Sequence, residues 1–140
     1  MGGLYVLLAD CVVLIHFLYV LFAAGGLVFI LAGAGCGWAA VRNPWFRITH
    51  LVAVGLVALE AAVGIICPLT NWEYHLRRLS GGSVDENISF VARLARLLIF
   101  YDLPEWVFTV VHILFGLLVV VTFILVPPVF GAKKQSAGRE

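Results

Sequence analysis

Charge is what this chain has least of. Only 12% of its 140 residues are Asp, Glu, Lys or Arg, about half the share found in a water-soluble domain. Nine basic residues against eight acidic ones leave a formal net charge of +1. That offers no field to steer a polyanion, so nucleic acid is excluded as a partner. Cysteine is also scarce, with Cys11, Cys36 and Cys67 and no CxxC or CxxCH among them, which removes a dithiol redox centre and covalent haem attachment. The sequence holds no GxSxG, Walker loop, HExxH, HxxxH or ExxH, so it carries no recognisable catalytic set. No internal repeat is present.

Apolar residues are what it has in excess: 63% of the chain, with a mean hydropathy of +1.07. The length suits one domain. Three segments reach the roughly 20 apolar residues that a membrane-crossing helix needs. They are residues 4–31, interrupted by Asp10 and His16; residues 45–67, interrupted by Arg47, His50 and Glu60; and residues 105–126, with His112 inside. In lipid every backbone polar group must be satisfied within its own segment, so each is read as a helix.

The ends of these segments carry stop and start signals. Gly33, Gly35 and Gly37 are expected to dissolve the first helix, Asn43-Pro44 to start the second and Pro68 to end it. The run Asp102-Leu103-Pro104-Glu105 is expected to start the third, and Pro127-Pro128 to stop it. Trp38, Trp45, Trp72, Tyr74, Tyr101 and Trp106 lie near these ends, at headgroup level. Between the second and third spans, residues 69–103 form the one long polar stretch. After Asn87 it turns amphipathic, with Phe90, Val91, Leu94, Leu97, Leu98 and Tyr101 at helical spacing and Arg93 and Arg96 on the other face. The expected fold is therefore all-α: an integral membrane bundle of three transmembrane helices plus one amphipathic interfacial, or short fourth, helix. Residues 1–132 form the single domain and 133–140 a polar tail.

Basic residues flanking the spans favour, by one charge, a cytoplasmic C-terminus with the 67–103 region outside. The first span lacks a basic n-region and is too long for a cleaved signal peptide. A multi-pass protein of the inner membrane is expected, with the lipid bilayer and other membrane subunits or further copies of itself as partners.

Ionisable groups inside hydrocarbon are functional candidates by default, because each costs at least a few kcal/mol. Counted at 1.5 Å per residue from the side that holds the N-terminus, His16 lies about 18 Å along its helix, and Glu60 and His112 about 12 Å along theirs. His50 lies about 15 Å from Glu60, toward the opposite face. Stripes at three- and four-residue spacing run through His16, Ala23 and Ile30; through His50, Val57, Glu60 and Gly64; and through Glu105, Thr109, His112 and Gly116. Small residues beside polar ones suit close helix packing in lipid. A seam holding a His16–Glu60–His112 cluster follows.

Three chemistries suit such a cluster. Glu60 and a histidine can tie helices together by hydrogen bonds. His16 and His112, with His50 as a further candidate, can act as axial ligands of haem b. The carboxylate and imidazoles can relay protons or hold a small metal ion. At the membrane edge, Pro68 disfavours helix at Cys67, and Thr70 can bond the freed carbonyls. Asp10, on the same face, is expected to pair with this corner.

Two of these stretches, Leu8-Ala9-Asp10-Cys11 leading to His16 and Cys67-Pro68-Leu69-Thr70 followed by Trp72-Glu73, together with His50 and Glu60, resemble a bacterial family of small polytopic membrane proteins. That family is catalogued as a domain of unknown function. The likeness covers the first two spans and the Cys67–Thr70 corner. After Ser80 this chain departs from the family's Gly-Gly-Phe-Ile-Glu-His-like segment, and His112 has no counterpart in the motif. The resemblance implies a bacterial membrane location and names no activity. The expected role is that of an accessory or structural subunit of a larger membrane complex, with a haem-binding electron-transfer subunit as the alternative.

Overall fold

A computed structural model describes residues 2–82, 90–99 and 103–130. Among them the chain is helical with no strand: α1 (Gly2–Gly35), a 3-10 turn (Ala39–Arg42), α2 (Pro44–Val63), α3 (Pro68–Leu79), α4 (Phe90–Ile99) and α5 (Glu105–Leu125). Helices α1, α2 and α5 are long and apolar enough to cross a membrane. The tail 133–140 and Tyr101-Asp102 lie outside the described residues.

Local chemistry sets the boundaries. Helix α1 runs through Gly33 and ends at Gly35 instead of dissolving earlier. Gly33 is a contact point: a Cβ there would collide with Val41 of the 3-10 turn, and Trp38 donates its backbone N–H to the Gly33 carbonyl at 2.8 Å. Gly37, at φ 71°, reverses the chain. The Asn43 side chain caps α2 by accepting from the N–H groups of Trp45 and Phe46, with Pro44 in the first turn. At its far end Gly64 takes a left-handed conformation (φ 73°), and Ile65 N–H donates to the Glu60 carbonyl at 2.9 Å.

The chain then does something the polar composition of residues 69–103 hid. Cys67 is held extended by the proline after it, and Pro68, instead of ending α2, opens a further helix, α3. Glu73 and Arg77 pair one turn apart on it at 2.8 Å, and Ser80 Oγ donates to the Arg77 carbonyl at its end at 2.6 Å. Among the described residues there are thus two short amphipathic helices between the second and third spans, not one.

The helices pair unequally. Helix α1 packs mainly against α3, and α2 mainly against α5, while α1 meets α2 and α5 over smaller areas and α4 rests on α5. At 1.5 Å per residue α1 is about 51 Å long, α2 about 30 Å and α3 about 18 Å. Placed end to end across the break at Gly64–Cys67, α2 and α3 match α1 in length and run antiparallel to it. The central core is small: Leu27, Val54 and Val119, with Ala23, Leu51 and Phe115 against them. Leu14, Leu18, Val52, Leu56, Leu114 and Leu117 face outward, an apolar belt far larger than a water-exposed surface carries. Trp45 (81% exposed), Trp72 and Trp106 stand free near the helix ends, where indole favours the headgroup layer. The chain is built as a membrane protein.

Candidate functional site

The break between α2 and α3 opens a cavity of about 420 Å³ against α1, α4 and α5. Helix α1 contributes His16 and Tyr19, α2 contributes Glu60, the break contributes Cys67, α3 contributes Thr70 and α5 contributes His112. Glu105 and Thr109 of α5 also line it, and apolar side chains, among them Val54, Val57, Phe108 and Phe115, form the remaining walls. His16, Glu60 and His112 therefore share one cavity, as do Cys67 and Thr70, while His50 and Asp10 do not line it.

Several of these groups have a defined partner. Tyr19 donates its hydroxyl to the Ala53 carbonyl at 2.6 Å, tying α1 to α2. His112 Nδ1 lies 2.6 Å from the Phe108 carbonyl one turn back. A carbonyl only accepts, so Nδ1 carries the proton and Nε2 is left with its lone pair. His16 stacks face to face on Phe90 of α4, with ring centroids 4.1 Å apart. Burial pushes the Cys67 thiol up, and the Glu60 carboxylate raises it further through its charge and a thiol hydrogen bond, while the backbone N–H groups of Leu69 and Thr70 pull the other way. Burial thus disfavours the Cys67 thiolate. Among the described residues no three His, Cys, Asp or Glu side chains form a group that could hold a metal ion.

Behind Phe90 lies an array of charges. Glu73, 1% exposed at its side chain, takes Arg77 Nε on one carboxylate oxygen at 2.8 Å and Arg93 Nη2 on the other at 2.5 Å. Arg77 also reaches Asp10 on α1 at 3.1 Å. Asp10 thus pairs with α3 about two turns beyond the Cys67–Thr70 corner, through a guanidinium and not through loop amides. The hydrogen bond and charge of Glu73, helped by Asp10, raise the Arg77 pKa. Guanidinium does not release its proton in proteins, so this array ties α1, α3 and α4 together electrostatically and is no proton wire. Phe90 is buried and Arg96 exposed, as expected for α4, but Arg93 turns inward to Glu73 while Leu97 and Leu98 face outward. A buried carboxylate attracts the guanidinium more strongly than an apolar core could attract two leucines already suited to lipid.

At the other end of the bundle, Arg47 and His50 are both buried. Arg47 donates to the Thr122 and Val126 carbonyls at 2.6 and 3.0 Å, neutralising the exposed C-terminus of α5. His50 Nε2 donates to the Ala23 carbonyl at 2.8 Å and the ring fills the gap over Gly26, where a Cβ would lie 2.5 Å from Cδ2. Phe22 and Phe46 enclose it. His50 serves helix packing and stands apart from the cavity.

Residues 6–128 match a family described as Protein of Unknown function (DUF2784). The chain belongs to the DUF2784 family. No curated protein and no solved structure matches it. The residues singled out from the sequence, from Asp10 to His112, all fall within the DUF2784 match. Glu73, Arg77, Arg93 and Arg47, which hold the fold's charge ties, were not singled out as partners. The signal for the first two was legible as an acid and a base one turn apart after a helix-starting proline. Nothing local marks the third or the fourth, because their partners lie 20 and 75 or more residues away.

Proposed function

We propose that this DUF2784 chain holds a lipophilic small molecule in the cavity at the α2–α3 break, as an accessory subunit of a larger complex in the bacterial inner membrane. One observation carries the reading. Polar groups that served only to join helices would close on one another, as Tyr19 and His50 do with backbone carbonyls, whereas His16, Glu60 and His112 surround about 420 Å³ of space. Ligand sites have this character: mostly apolar walls, a few convergent polar groups, and a position between helices of a bundle. The bacterial setting rests on the resemblance carried by Asp10, His16, Glu60 and Cys67–Thr70, and the cytoplasmic C-terminus on a one-charge excess of flanking basic residues.

Solvent extraction of the purified protein tests this. A lipophile recovered in near-stoichiometric amount from the wild type and lost from A61F, which fills the cavity, supports the reading. An extract indistinguishable from that of A61F overturns it. A protein that migrates alone after gentle solubilisation removes the subunit role. A second reading, haem b between His16 and His112, is favoured by their shared cavity and by the His112 Nδ1–H bond to a carbonyl, the usual posture of a ligating imidazole. A purified protein without a Soret band ends it.

A further inference from the structure

The lining of the cavity is selective in what it can hydrogen-bond. Among the described residues no Lys or Arg reaches it, so a phosphate or carboxylate head would enter without a counter-charge. Three of the donors around it, on Tyr19, Thr109 and His112, are turned onto the protein itself, while the Thr70 hydroxyl and the His16 ring also line it. Tyr19 donates to Ala53, Thr109 donates to the Glu105 carbonyl at 3.4 Å, and His112 donates from Nδ1 to Phe108. Acceptors remain: the His112 Nε2 lone pair and the carboxylates of Glu60 and, at the rim, Glu105. His16 also lines the cavity, and a hydroxyl can accept as well as donate, so either tautomer of that imidazole suits one.

From this pattern we infer that the occupant is a neutral lipophile with a hydroxyl head, which donates to His112 Nε2 or Glu60 while its apolar body lies along Val54, Val57 and Phe115. The inference rests on the reading of the cavity as a ligand site. It adds that recognition runs through a hydrogen-bond donor on the ligand. A site built around a substrate hydroxyl rejects the analogue lacking it, because its buried acceptors are then left unpaired. Phenols with an apolar tail and long-chain alcohols share this chemistry.

Paired probes test it on the full chain in nanodiscs. Binding of 4-decylphenol and of its methyl ether 4-decylanisole is measured by equilibrium dialysis, with A61F giving the background of partition into lipid. The phenol is expected to bind at least about ten-fold tighter than the ether. That preference is expected to shrink to about three-fold or less in H112L or in E60L, whichever removes the accepting group, while ether binding stays unchanged, and a preference that survives in both overturns the assignment. Decanol against decyl methyl ether repeats the comparison without an aromatic ring. A hydroxyl preference in the phenol pair alone assigns an aromatic ligand, and in both pairs an aliphatic one as well. Equal binding of phenol and ether above the A61F background overturns the hydroxyl inference and keeps the ligand site. Decyl phosphate binding as tightly as the phenol also overturns it. Both probes at the A61F background overturn the ligand site itself.

Discussion

At the scale of single residues, Glu73 governs more of the molecule than any group inside the spans. One buried carboxylate holds guanidiniums from two helices, and one of these guanidiniums holds Asp10 on a third. Removing a partner from a buried charge pair is costly because the remaining charges lose their compensation. Both arginines are about a third exposed, which places the effect at the low end of the range for buried pairs. E73A is expected to destabilise the protein by on the order of 3 kcal/mol, and E73Q, which keeps a carbonyl acceptor, by about 1 kcal/mol. Thermal unfolding in detergent measures both. An E73A protein that melts with the wild type would mean that the array holds nothing together.

At the scale of elements, helix contacts depend on missing side chains. Gly116 of α5 faces Ala58 of α2 so closely that an added Cβ would lie 2.7 Å from the Ala58 methyl. Neither atom can rotate away, so G116A must push α2 and α5 apart, for an expected loss of about 1–3 kcal/mol. G55A, on the same α2 with nothing within 4 Å of its new Cβ, is expected to be neutral or to stabilise by up to about 1 kcal/mol through helix propensity. Unfolding of the two variants side by side checks this, and equal effects would contradict the packing. The three spans were legible because the apolar runs bounded by Pro and Gly have few other physical solutions. His16, Glu60 and His112 line one cavity, which helical rise and face spacing suggest but do not specify. Helix α3 was not legible, because its charged face looks like loop until Glu73 is seen to be buried. The cavity was not legible either: a break after Gly64 can be read from the chain, but the space it leaves depends on where α4 and α5 lie.

At the scale of the whole molecule, the unequal helix pairing matters most. Helix α1, about 51 Å long, keeps outward-facing leucines as far as Leu4 and Leu7, while α2 and α5 measure about 30 Å, the thickness of an ordinary hydrocarbon layer. One helix is therefore too long for the slab that its neighbours fit. A bilayer can resolve such a mismatch by letting the helix tilt or by swelling locally, at fractions of a kcal/mol per ångström. Tilting is resisted here, since α1 is fastened to α3 near its start through Asp10 and to α2 in its middle through Tyr19 and Ala23. The protein should thus favour thicker membranes. Reconstituted in phosphatidylcholines of increasing acyl length, it is expected to unfold at progressively higher temperature until the slab overtakes α2 and α5, and a flat response would show that α1 leans freely. Because α1 walls the same cavity that the α2–α3 break opens, membrane thickness also sets how far that wall stands from the opposite one.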